Sequence, residues 1–130
     1  MPQYLTGERQ QQRAYSRAVV TGPGRTIWLA GQTVTADEEG RPLGGDFDGQ
    51  AHAIFRAIER TLKELGSSLR DIVTMTVFIA DARHGDRFVE IRKSYFPDGF
   101  PASALITVTG FARPEAMLEI QAVAVREDAA

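Results

Sequence analysis

Residues 46–80 read DFDGQAHAIFRAIERTLKELGSSLRDIVTMTVFIA, and the change of period inside this stretch decides the fold. In its first part Phe47, Ala51, Ile54, Phe55, Ile58, Leu62 and Leu65 recur at steps of three and four, which puts them on one stripe of a helix. Asp46 stands at the N-cap position and Gly66 where such a helix ends. From Ile72 to Ala80 the chain becomes almost continuously apolar and β-branched, so a strand with both faces covered is expected.

The flanks extend this pattern. Upstream, AYSRAVVTGPGRTIWLAGQTV (residues 14–34) reads as a β-hairpin turned at Pro23-Gly24, and TADEEGRPLGGD (residues 35–46) as a charged, glycine-rich loop. Residues 1–13 are polar and expected to be loosely held. Downstream, a second helix is expected over Asp86 to Phe96, burying Phe88, Ile91 and Tyr95. ASALITVT (residues 102–109) and MLEIQAVAV (residues 117–125) then read as two strands joined by GFARPEA.

The predicted order is β-β-α-β-α-β-β within one domain, residues 1–130. That is an α+β architecture, a mostly antiparallel sheet with two helices on one face. The other sheet face mixes Val, Leu and Thr with polar residues, and so short a chain has no third layer to cover it. Self-association is the expected solution.

Composition narrows the function. The chain has 130 residues, net charge −2 and no cysteine, so thiolate chemistry and cysteine metal sites are excluded. His52 and His84 share no ligand spacing, and no metal or cofactor is expected. Acids and bases are interspersed without a basic stripe, which argues against nucleic acid. The polar start and strand-sized apolar runs give no leader or membrane span, so a cytoplasmic location is expected. No P-loop, dinucleotide fingerprint or nucleophile elbow is present.

Individual residues leave alternatives open. In MLEIQAVAV, Leu118, Ile120, Ala122 and Ala124 share one strand face, while Glu119 and Gln121 share the other. A mid-strand carboxylate such as Glu119 is either solvated, paired between subunits, or used in chemistry. Tyr15 is a core filler or a pocket phenol. Gly31, beside Ala30, marks a bulge or the close approach of a ligand. Trp28 reads as core, and His52 as a boundary residue.

Taken in order, YSRAV, LAGQT, QAHAIFRAIERTLKELGSSLRDIVTMTVFIAD, FVEIRKSYF, FPAS and EIQAVAV resemble the RidA (YjgF/YER057c/UK114) family of enamine/imine deaminases over Tyr15 to Val125. The resemblance implies a chorismate-mutase-like fold, a homotrimer and a small-molecule cleft at each subunit interface. It also implies cofactor-free hydrolysis of enamines or imines to 2-oxo acids and ammonia.

In that family an arginine in a P-A-R motif grips the substrate carboxylate, a glutamate of the last strand orients water, and a tyrosine of the first strand stands beside them. Carried over by position, Glu119 and Tyr15 become the catalytic candidates. Ala30, Gly31, Phe88, Arg92, Ser103 and Leu105 become the substrate-binding set. Here P-A-R reads Pro101-Ala102-Ser103, the serine of S-G-Q is Ala30, and the asparagine common in the second helix is Arg92.

Loss of that arginine predicts poor hydrolysis of 2-iminopropanoate, since a bidentate charge-assisted contact is worth on the order of 1.5–3 kcal/mol. Two readings follow. One is a divergent deaminase-type hydrolase in which Arg92, unless it is merely a surface residue, takes over anion binding. The other is a non-catalytic ligand-binding or chaperone-like trimer.

Overall fold

The computed structural model describes residues 2–128. The helix Phe47–Glu64 starts where the sequence says it should. The Asp46 carboxylate accepts a hydrogen bond from the Gly49 N–H at 2.9 Å, satisfying one of the open donors of the first turn. At the other end Gly66 takes φ +70°, a left-handed conformation that costs glycine little.

The elements are β1 (Gln3–Leu5), α1 (Glu8–Gln12), β2 (Ala18–Val20), β3 (Gly24–Gln32), α2 (Phe47–Glu64), β4 (Ile72–Ile79), α3 (Gly85–Lys93), β5 (Ala102–Thr107) and β6 (Leu118–Glu127). The main sheet runs β3-β6-β4-β5. β6 is antiparallel to both β3 and β4, and β5 lies parallel to β4 at the edge. The α+β class and the covering helices match expectation; the strand order and the mixed sheet go beyond it.

One face of the sheet is buried by helices. Met75, Val77 and Ile79 of β4 and Leu118, Ile120, Ala122 and Ala124 of β6 pack against Ala51, Ile54, Phe55, Ile58 and Leu62 of α2. Each fully buried Val, Leu, Ile, Met or Phe side chain among them contributes about 1.5–3 kcal/mol. Phe55 lies within stacking range of Tyr95 (4.3 Å between ring centroids) and Phe88 (6.0 Å), fastening α2 to the α3 segment. Truncating Phe55 to alanine would cost about 3–5 kcal/mol and loosen the helix that carries the site.

Four expectations are corrected. The residue 14–34 hairpin does not form: β2 pairs with β1, whereas β3 pairs with β6. The run of β-branched residues shows strand propensity but not which partner wins, and the long β6 offers β3 the fuller ladder. Residues 2–13 are not a loose segment, since they supply β1 and α1. Leu65 lies past the end of α2 and is 50% exposed. Trp28 is not core, being 79% exposed. It pairs with Val123 across the strands, on the face away from the helices.

That outer face is also where β4 departs from the sequence reading. Thr74 is exposed and Thr76 and Phe78 only half-buried, so within one chain β4 is covered on one side. Among the described residues, no helix is long and apolar enough to cross a membrane.

Candidate functional site

β5 is an edge strand, and the residues after α1 run along its open side. The Ser16 N–H donates to the Pro101 carbonyl at 3.0 Å, its hydroxyl donates to the Phe100 carbonyl at 2.6 Å, and Ser16 forms an isolated parallel bridge with Ala102. This anchors Tyr15 next to the start of β5, where it lines a cavity together with Ser103. Ala14, fully buried, makes the turn at φ +61°, a conformation that costs a non-glycine residue on the order of 1–3 kcal/mol.

The third contributor is α3. Arg92 follows Phe88 by one helical turn, so it shares the buried stripe. It is 2% exposed. Its Nη1 donates to Ser103 Oγ at 2.7 Å and its Nη2 to the Arg13 carbonyl at 3.0 Å. The guanidinium carbon lies 5.2 Å from the centre of the Phe88 ring, a cation–π contact. Its Nε is buried without a partner, and among the described residues no carboxylate pairs with it. Burial, reinforced by the nearby charge of Arg13, pushes the Arg92 pKa down to about 10, so the group remains a cation at neutral pH.

Arg9, Arg13, Tyr15, Val89, Arg92, Ser103 and Leu105 line a cavity of about 310 Å³. A buried cation with spare donors and no counter-ion is costly unless an anion completes it. The pocket is therefore suited to a carboxylate, gripped by a planar guanidinium that Ser103 and the Arg13 carbonyl hold in place.

Four candidate residues meet here: Tyr15, Arg92, Ser103 and Leu105. Phe88 does not line the cavity; it is fully buried, and its ring supports Arg92. Glu119, Ala30 and Gly31 form a separate group. The β3–β6 register shifts between Leu29 and Gln32, the mark of a bulge. A side chain at Gly31 would begin 2.6 Å from Glu119 Oε2, so the missing Cβ is what lets that carboxylate lie over the strand.

The two groups stand apart within one chain. Ser103 pairs with Met75, and Glu119 with Phe78, three residues further along β4. Paired residues share a face and successive residues alternate. Ser103 thus faces the helices and Glu119 faces away. Beside Glu119's half of the sheet, Trp28, Ala30, Thr74, Thr76, Gln121 and Val123 line a shallow outer cavity of about 400 Å³.

Sequence reasoning missed Arg9 and Arg13. Their four-residue spacing in ERQQQR was a usable signal, obscured by treating residues 1–13 as unstructured. His52 accepts or donates a 2.6 Å hydrogen bond with the Tyr95 hydroxyl, and His84 stacks on Phe47; neither reaches the cavity. Among the described residues no cluster of His, Asp or Glu is placed to hold a metal.

Residues 7–126 match the family described as Endoribonuclease L-PSP. Human 2-iminobutanoate/2-iminopropanoate deaminase is 31% identical over 112 residues, covering 86% of this chain and 80% of its own length. A RutC family protein of Pyrococcus abyssi is 30% identical over 113 residues, 87% of each chain. Among solved structures, a Rid-family protein from Yersinia pestis superposes with a TM-score of 0.84 over 96% of this chain and 98% of its own. At 22% identity that likeness is one of fold. A putative endoribonuclease from Thermotoga maritima, 28% identical, gives a TM-score of 0.72 over 98% and 100%.

Proposed function

The chain belongs to the Rid (YjgF/YER057c/UK114) family, and from that premise we propose that it is an imine or enamine deaminase whose carboxylate clamp has moved from β5 to α3. The observation that carries this reading is the buried Arg92 guanidinium, hydrogen-bonded to Ser103 and lining the cavity beside Tyr15. Where the family's arginine would rise from the strand, a serine instead receives an arginine from the helix.

In the proposed reaction Arg92 binds the carboxylate of a 2-imino acid. Water adds to the C=N carbon, losing a proton to a carboxylate, and the imine nitrogen takes up a proton. The resulting carbinolamine collapses with cleavage of the C–N bond, releasing ammonia and leaving a 2-oxo acid. Holding the substrate in one orientation supplies much of the rate advantage. Among the described residues no carboxylate lines the one-chain cavity, so in this reading Glu119, over Gly31, is contributed by a neighbouring copy in a homotrimer. The uncovered face bearing Trp28 supports such an assembly.

Ammonia release from a panel of imines generated in situ tests the proposal, using the native protein and Arg92→Gln. Turnover that depends on Arg92 supports it; turnover indifferent to Arg92 sinks the clamp. Ligand binding without turnover of any panel member would favour the non-catalytic reading, which the separation of Glu119 from the pocket in a single chain keeps open.

A further inference from the structure

Arg9 and Arg13 stand at the mouth of the Arg92 cavity, and local physics gives no reason for them to be there. They sit four residues apart across a helix of only five residues. Like charges at that spacing destabilise a helix by about 0.2–0.5 kcal/mol, and a helix this short has little intrinsic stability. The C-terminal end of α1 favours a nearby cation, but that does not account for three arginines around one cavity.

Among the described residues, the acid that pairs with either of them is Asp86, 2.7 Å from Arg13. The Asp86 side chain is 89% exposed and Arg13's is 38% exposed, so the pair is screened and weak. Arg9 enters no ion pair among the described residues. Positive charge thus continues from the buried Arg92 outward to the rim.

We infer that this pocket selects a doubly negative substrate, the imine of a dicarboxylic amino acid, with its α-carboxylate on Arg92 and its distal carboxylate on Arg13 and Arg9. The inference rests on the Arg92 clamp proposed above. Room supports it: about 310 Å³ is roughly ten waters' worth at ~30 Å³ each, more than a three-carbon imino acid fills. Geometry supports it as well. The Arg13 backbone carbonyl holds Arg92 while its side chain lines the same cavity, so one residue fixes the inner clamp and supplies the outer one. A short monoanion would leave the outer pair unused, which makes 2-iminopropanoate a poor substrate for a reason other than a missing arginine.

Calorimetric titration with stable product analogues tests the inference on the native protein. 2-Oxoglutarate is expected to bind at least tenfold more tightly than 2-oxobutanoate. In Arg9→Gln/Arg13→Gln the ratio between the two ligands should collapse toward one, while Arg9→Lys/Arg13→Lys retains most of it. Asp86→Asn, which frees Arg13, should widen the ratio. The exposed side chains make these variants compatible with folding, which a thermal midpoint close to native checks. Equal affinity for both ligands, or a preference that survives the glutamine pair, overturns the inference and leaves the Arg92 proposal standing. Failure of both ligands to bind overturns both proposals.

Discussion

Arg92 Nη1 and Ser103 Oγ are 2.7 Å apart, a helix side chain and a strand side chain joined by a hydrogen bond in the wall of the cavity. The pairing explains two departures from the family pattern at once. A serine at position 103 is short enough to leave space for a guanidinium arriving from α3. An arginine at position 92 fills that space and finds an acceptor there. Neither residue makes sense alone. A buried arginine needs acceptors, and a strand serine at a cavity needs a partner.

Replacing Arg92 with methionine separates its binding role from a structural one. Methionine follows the arginine stem but brings no charge and no donors. Loss of two hydrogen bonds, at about 0.5–1.5 kcal/mol each, is offset by removing a buried cation that has no counter-ion. Stability measured by denaturant unfolding should stay within about 1 kcal/mol of native. Affinity for 2-oxobutanoate should fall roughly tenfold to a hundredfold. A large loss of stability with intact binding would make Arg92 a structural residue only.

Trp28 tests the assembly. It is 79% exposed on the sheet face that no helix covers, and self-association into a trimer predicts a native mass near three times 14.3 kDa. Trp28→Glu places a charge where copies would meet and should shift the sedimentation profile to monomer. Imine turnover should disappear with the trimer, while 2-oxobutanoate still binds, because the Arg92 cavity lies within one chain. A monomeric native protein that turns over imines would refute the shared site.

Gly31 tests the placement of Glu119. A methyl group at position 31 would stand 2.6 Å from Glu119 Oε2. The side chain can swing aside, so Gly31→Ala should change stability by no more than about 0.5 kcal/mol. Turnover should nevertheless drop by tenfold or more if that carboxylate handles the proton of the attacking water, a step typically worth about 10²–10⁴-fold. Unchanged turnover, checked by the ammonia assay, would remove Glu119 from the mechanism.

The parts of this protein that were legible in its sequence are those set by local periodicity. The α2 stripe from Phe47 to Leu62 and the alternation of Leu118, Ile120, Ala122 and Ala124 are buried as their spacing predicts. Partner choice was not legible. The β-branched residues of β2 and β3 favour a strand but do not say that β2 joins β1 while β3 joins β6. Trp28 misled because a large aromatic is commonly core, and only the sheet order reveals that its face is open. For the site, Arg92 carried two signals that conflict, a charge that favours the surface and an i+4 relation to Phe88 that favours burial. Packing decided for burial, since Ser103 and the Arg13 carbonyl supply acceptors. The role of Arg9 and Arg13 required the N-terminal segment to be folded, which its polar composition does not announce.

The clamp's relocation is tested most directly by moving it back. Ser103→Arg alone would bring a second guanidinium against Arg92, so this variant should lose stability and turnover. Arg92→Asn alone should lose turnover by removing the buried cation of the pocket. Combined in one chain, the two changes restore a strand arginine facing a helix asparagine. Ammonia release from the best imine substrate should then return to at least a tenth of native. Rates in the double variant no better than the product of the two single losses would contradict the account, because the two positions would then act independently and no clamp would have moved between them.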